Sequence, residues 1–340
     1  MNKNELLALL QPDMIAVDEA MRHEIAGVGT PLLRKILEYG LFNGGKRIRP
    51  LLTVLAGRLC AFTRMPAGLA PEEDIVPPPD LYRLALVFEF LHCASLLHDD
   101  VIDHADRRRG KPAVSTVWGS SHAILAGDFL HTRGMTLAGS LGGKEILGVI
   151  GTATAAMIEA EFLQAQTVTD GNLSEENYFA VLRGKTGALI SAACRVGACF
   201  AEAEAAHQEA LAVYGNALGL AFQVVDDLLD YLGDPATTGK AVGNDFIEGK
   251  LTLPLLHALG SAEPHQRQEM ATLLAASPEE RAGQIAAARR FIEEGNGFTY
   301  ARQGAETLVA AAEEALAVFP DCQARRTLIG LARYVLTRRQ

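Results

Sequence analysis

Two five-residue segments constrain the chain more than any other. Asp99-Asp100-Val101-Ile102-Asp103 and Asp226-Asp227-Leu228-Leu229-Asp230 repeat one D-D-x-x-D spacing deep in apolar sequence. Around them apolar residues recur at three and four, as at Leu81, Leu84, Ala85, Phe88 and Leu91, which is the period of a helix. In a helix, positions i and i+4 share a face, so Asp99 projects with Asp103 and Asp226 with Asp230, while Asp100 and Asp227 lie about 100° around. Like charges stacked in this way destabilise a helix, and far more so once desolvated. The flanks Leu96-Leu97 and Phe222–Val225 are core-like, so a fold that keeps both clusters must bring positive charge to them.

The rest of the chain supports an all-α reading. Alternating strand-like runs are scarce, and Gly, Pro or clustered polar residues interrupt the helical pattern at 40–50, 63–80, 107–112, 142–144, 167–174, 233–250, 261–266 and 295–297, which predicts roughly ten or more helices. Residues 1–340 are expected to form a single domain, with the Pro-rich 63–80 stretch a surface loop insertion. With 49% hydrophobic and 21% charged residues the chain is no disordered segment. A net charge of −10 excludes nucleic acid as a partner, since phosphate neutralisation needs a surplus of Lys and Arg. Five cysteines, odd in number and never spaced C-x-x-C, predict neither a disulfide framework nor a zinc site and suit a cytoplasmic location. Met1–Leu10 lacks the pattern of a secretory signal. The charge-free stretches Ile146–Ile158 and Ala210–Val225 fall short of the ~20 apolar residues of a membrane span, so no transmembrane segment is expected.

Carboxylates with no His or Cys at ligand spacing suit hard Mg²⁺, which keeps waters and bridges carboxylates to phosphates. Two such faces predict a diphosphate held between metals. An EF-hand is excluded because neither cluster has its glycine and closing glutamate. Cations follow each cluster: Arg107-Arg108-Arg109-Gly110-Lys111-Pro112 after the first, Gly239-Lys240 and Gly249-Lys250 after the second. Arginine forks and lysine charges beside a glycine turn suit phosphate. Gly44-Gly45-Lys46-Arg47-Ile48-Arg49-Pro50 places three cations on a turn before a helix that Pro50 can begin, a second anion site. Lys185-Thr186-Gly187 is no P-loop, lacking the upstream glycine and a preceding strand.

These segments, together with L-L-H-D-D-V-I-D at 96–103, G-D-F-L at 127–130, G-K-T-G at 184–187, F-Q-V-V-D-D-L-L-D at 222–230 and the following G-K-A-V-G-N-D and E-G-K-L-T-L-P-L-L, resemble the trans-isoprenyl diphosphate synthases, the polyprenyl synthetase family. The resemblance covers nearly the whole chain. It implies helices around a deep central cavity (the isoprenoid synthase fold), a homodimer, and aspartate clusters facing each other at the cavity mouth. Asp99, Asp103, Asp226 and Asp230 match the ligands of several Mg²⁺ ions. Arg108, Lys185, Lys240 and Lys250 match residues that clasp an allylic diphosphate. Lys46, Arg49, His92 and Arg109 match an isopentenyl diphosphate site. Thr186 and Gln223 match residues whose oxygen dipoles face an allylic carbocation, formed as the diphosphate leaves and attacked by the isopentenyl double bond. The released diphosphate serves as base, and closure of the Gly233–Lys250 loop excludes water.

Product length follows from the turn below the first cluster. Short-chain members tend to carry an aromatic plug there; this chain has Ala94 and Ser95, then Leu91, with Phe88 and Met135 as a floor. The open shaft predicts a long, octaprenyl-like product, with geranylgeranyl or farnesyl diphosphate as the alternative, and a product so apolar implies transient membrane contact at release. A terpene cyclase is disfavoured because D-D-L-L-D stands where its second motif would be and Gly44–Pro50 would have no use. A non-catalytic subunit would show degraded clusters, and both are intact.

Overall fold

The computed structural model describes residues 2–65, 75–170, 174–233 and 242–338. The chain opens with α1 (Lys3–Ala26), whose first turn is closed by a reciprocal pair: the Asn2 side chain accepts from the Glu5 amide, and the Glu5 carboxylate accepts from the Asn2 amide. Then come α2 (Pro31–Leu41), α3 (Ile48–Thr63) and α4 (Pro79–Ile102). Pro31 and Pro79 stand at helix starts, where a missing amide hydrogen has no cost. After a two-stranded ribbon the chain continues through α5 (Val114–Trp118), α6 (Ser120–Asp170), α7 (Glu175–Leu182), a π-helical turn at Arg183–Gly187, α8 (Ala188–Phe200) and α9 (Ala205–Leu232). The remaining helices are α10 (Asn244–Ile247), α11 (Leu253–Ser261), α12 (Pro264–Leu274), α13 (Pro278–Ala282), α14 (Ile285–Glu294), α15 (Gly297–Ala315) and α16 (Gln323–Thr337).

The protein is all-α, as the periodicity predicts. The ribbon is a departure. Where a bare break was expected, β1 (Arg107–Arg108) pairs antiparallel with β2 (Lys111–Pro112). Arg109 and Gly110 both take positive φ, 52° and 76°, the pair of left-handed residues a tight hairpin turn requires. The Gly142–Lys144 break falls inside α6, where Gly143 leaves helical geometry at φ 63°.

The chain groups into two compact units. The first comprises Met1–Thr154, Leu189–Ala212 and Ala317–Gly330. Its interior is built from Leu51, Leu52 and Leu55 of α3 with Leu84, Phe88 and Leu91 of α4. The second comprises Ala155–Ala188, Val213–Leu316 and Leu331–Gln340, with Tyr231, Phe246, Leu253 and Ile292 fully buried. Two described helices are long and apolar enough to cross a membrane. The apolar stretch of α4 is 67% buried, as in a core helix, but that of α6 is only 22% buried, with Leu125, Ile158 and Phe162 exposed. The Pro-rich insertion joins α3 to α4, and its residues 66–74 lie outside the described residues.

Candidate active site

Both aspartate clusters sit at the carbonyl ends of their helices. Asp99 and Asp100 occupy the last turn of α4 and Asp103 is its C-cap, the Asp103 amide donating to Asp99 O at 2.8 Å. Asp226, Asp227 and Asp230 lie in the last two turns of α9. The negative end of a helix dipole adds to the carboxylate charge there, so each helix end draws cations.

In the first unit Asp100 points inward, 3% exposed. Its Oδ1 accepts from Nε and Nη2 of Arg108, at 2.9 and 2.6 Å. Asp99 is half-buried and Asp103 exposed. The ribbon that carries Arg108 and Arg109 is tied to the preceding helices: Tyr39 OH donates to Pro112 O at 2.7 Å, and Arg109 donates to Gly44 O. This places Arg109 against the glycine turn that precedes α3. Of the three cations on that turn, Arg47 is turned inward. It adopts a left-handed conformation as the N-cap of α3 (φ 52°) and donates to Asp18 at 2.9 Å and to buried Glu89 at 2.8 Å. Lys46 is exposed. Arg49 carries a buried Nε with no hydrogen-bond partner, and burial, with Arg109 nearby, lowers its pKa. His92 joins the same group: desolvation first, then the charges of Arg49, Arg109 and Arg108, hold its pKa well below the usual histidine range. It is therefore neutral at neutral pH. The unsatisfied Arg49 and the converging cations make this a place for an anion.

In the second unit, Lys185, Thr186, Gln223, Asp227, Asp245 and Lys250 line one cavity of about 280 Å³, which Tyr178 and Leu256 help to close. Lys185 and Thr186 ride on the π-helical turn, a local widening that recurs at functional sites. Gly184 is needed there because a Cβ would lie 2.4 Å from Ala160 Cβ and 2.7 Å from Ala156 O. Lys185 Nζ is held 2.8 Å from both Glu161 and Gln164, and Lys250 Nζ 2.6 Å from Glu248. Asp230 accepts the backbone amides of Asn244 and Asp245, at 3.2 and 3.0 Å, and this joins the start of α10 to α9. Burial, and then the charge of Asp245, push Asp230 up to about 6 and Asp227 up to about 7. Asp226 lies 2.7 Å from the guanidinium of Arg338, which stacks at 4.0 Å over the Phe222 ring.

The structure thus gathers Arg49, His92, Arg108 and Arg109 in one unit and Lys185, Thr186, Gln223 and Lys250 in the other. Lys240 lies outside the described residues, as do residues 234–241 of the Gly233–Lys250 loop. Ala94 and Leu91 are buried in α4 with Phe88, Ser95 is half-buried with its hydroxyl on His92 O at 2.9 Å, and Met135 of α6 is partly buried.

The polyprenyl synthetase family model matches residues 30–292. Over 99% of both chains the sequence is 36% identical to the octaprenyl diphosphate synthase of Escherichia coli K12. The chain belongs to the polyprenyl synthetase family. Among solved structures, a decaprenyl diphosphate synthase from Rhodobacter capsulatus superposes with a TM-score of 0.85 at 35% identity, covering 99% of each chain. A polyprenyl synthase from Caulobacter crescentus CB15, complexed with calcium and isoprenyl diphosphate, also gives 0.85, at 34% identity over 99% of this chain and 98% of that one. The family is one of prenyltransferases, and this chain is an enzyme of that kind.

Divalent metal use accords with the family, and the residues present fit such ions. The Arg338 guanidinium already stands on Asp226 as a stand-in cation, and the donors are carboxylate oxygens of the hard type. Among the described residues no three His, Cys, Asp or Glu converge on one metal position, so protein groups alone do not complete a coordination shell. Sequence reasoning missed Tyr178, Asp245 and Arg338. Asn244-Asp245 carried a signal, an acidic residue between Lys240 and Lys250 in sequence. Arg338 had none, since only the path of α16 brings it to Asp226.

Proposed function

We propose that the chain is a long-chain trans-polyprenyl diphosphate synthase, condensing isopentenyl diphosphate head-to-tail with an allylic diphosphate to make an octaprenyl-like product. The observation that carries this reading is that both D-D-x-x-D helix ends, each with its own set of cations, occur in a chain similar over its full length to an octaprenyl diphosphate synthase. Asp99, Asp103, Asp226 and Asp230 hold Mg²⁺ in this reading. When bound, Mg²⁺ supplies positive charge against the leaving diphosphate. Arg108, Lys185, Lys240 and Lys250 bind the allylic diphosphate, the first exchanging Asp100 and the second Glu161 for phosphate oxygens. Lys46, Arg49, His92 and Arg109 bind isopentenyl diphosphate, with neutral His92 donating one N–H. Thr186 and Gln223 present oxygen dipoles to the carbocation, electrostatic stabilisation that costs no reorganisation when already oriented.

The active form is a homodimer. Leu125 in the first unit and Ile158 and Phe162 in the second are exposed apolar residues of α6, and Gly143 together with Asp128, Arg133, Lys144 and Glu145 makes that helix a poor membrane span. Transient membrane contact serves product release only. Five unpaired cysteines accord with a cytoplasmic location. Incubating the purified chain alone with labelled isopentenyl diphosphate, Mg²⁺ and each allylic primer tests the reading. Products longer than geranylgeranyl diphosphate are expected, and a product that stops at the farnesyl or geranylgeranyl length, or no product at all, overturns it.

A further inference from the structure

Asp227 is the carboxylate of the second cluster to which the metal reading gives no task. It is 4% exposed, and both of its oxygens are committed. Oδ2 accepts the Tyr178 hydroxyl at 2.7 Å, and Oδ1 accepts Gln223 Nε2 at 2.9 Å. Ionised, Asp227 only accepts, and in that state the Gln223 amide nitrogen is turned to Asp227 and its Oε1 away from it. That oxygen lies 3.5 Å from Thr186 Oγ1, a long contact in which the hydroxyl donates. Every donor in the chain from Thr186 through Gln223 to Asp227, and from Tyr178 to Asp227, therefore points toward the one carboxylate. The outcome is a direction: Gln223 and Thr186 line the same cavity as Tyr178, Lys185 and Lys250, and Gln223 turns Oε1, not its amide nitrogen, toward Thr186. Without the anchor, the Gln223 amide could rotate and present its hydrogens.

We propose that Asp227 and Tyr178 are positioning residues that lock the Gln223 amide with its oxygen toward the reacting carbon, and that Asp227 is not a metal ligand. The inference rests on the functional reading above, in which Gln223 and Thr186 face a carbocation. It separates the middle aspartate of the motif from Asp226 and Asp230. Tyr178 is suited to its part because burial, and then the Asp227 charge, raise its pKa well above 10, leaving a permanent donor.

Asp227→Asn tests it. The variant keeps size and shape but adds a donor, so once Tyr178 bonds the new carbonyl oxygen, the new amide faces Gln223 and reverses it. The expected result is a kcat lower by ~10²-fold, the scale of one misdirected preorganised dipole. KM for both substrates and the Mg²⁺ concentration for half-activity should be unchanged. Tyr178→Phe, which keeps the Gln223 bond, should give a smaller loss of the same kind. Adding Asp227→Asn to Gln223→Leu should cost nothing further, because the group it orients is gone. A binding readout stands beside these: a non-reactive allylic thiodiphosphate with Mg²⁺ should raise the melting temperature of Asp227→Asn as much as that of the wild type. A raised Mg²⁺ requirement, a weakened thiodiphosphate shift, additive losses in the double variant or an unchanged kcat would each overturn the lock. A wild-type chain that makes no product overturns the functional reading, and the lock with it, whereas an active wild type with any of the former results sinks the lock alone.

Discussion

Asp226 does not stand alone, since its carboxylate shares charge with Arg338 on the Phe222 ring, and replacing it strands a guanidinium that is only 11% exposed. Asp226→Ala therefore confounds loss of a metal ligand with a buried unpaired charge. The pair Asp226→Asn and Asp226→Asn/Arg338→Leu separates them: both should lose at least ~10²-fold in kcat, but only the single variant should melt lower. Wild-type turnover in either removes Asp226 from the metal site.

Charge in this cluster also sets a pH dependence. Asp227 and Asp230 are raised to about 7 and about 6 in the folded chain, against about 3.9 when unfolded, so the native state binds more protons across that interval. Stability is then full below about pH 4 for these groups and falls as pH rises through 6 and 7. In chelator the melting temperature should drop between pH 5 and 8, and Mg²⁺ should reduce the drop. A temperature that rises with pH would show that the cluster is already compensated. The spacing of the motifs announced which aspartates share a face. It could not announce that Asp100 and Asp227 are the ones turned inward, because Arg108 and Tyr178, which hold them, come from other elements.

Among the elements, α4 joins two tasks on one rod. Its last turn bears Asp99 and Asp100, and one turn earlier it bears Ala94 and Ser95, 5.4 Å per turn in an ideal helix. Ala94→Phe should shorten the product to about the farnesyl size while the first condensation proceeds at near-wild-type rate, read by chromatography of the products. An unchanged length distribution would mean that the tail does not pass this turn. The helices themselves were legible, since periodicity and Pro-marked starts such as Pro31 and Pro79 report local physics. The ribbon at 107–112 was not legible as a ribbon. Its pairing depends on Arg109 taking a left-handed conformation that arginine rarely adopts, and the bond from Arg109 to Gly44 that helps hold it there spans 65 positions. The π-helical turn was equally hidden, G-K-T-G reading only as a break until the packing of Gly184 on Ala160 gives it a cause.

At the scale of the whole molecule, the all-α class and family motifs could be read directly, whereas the grouping of segments into two units could not. Each unit gathers three stretches distant in sequence, and contacts between remote stretches leave little trace in local pattern. The exposed apolar residues of α6 carry a practical consequence. If a second copy covers them, stability and turnover become functions of protein concentration. The melting temperature should climb as the sample is concentrated, and the rate per chain should fall once an assay is diluted below the dissociation constant of the pair. Replacing Phe162, 74% exposed, with Glu should move that threshold upward by at least ~10-fold, the scale of one lost interface anchor. A rate strictly proportional to enzyme at every dilution would mean that one chain works unaided, and kinetic constants measured at any single enzyme concentration could then be compared directly.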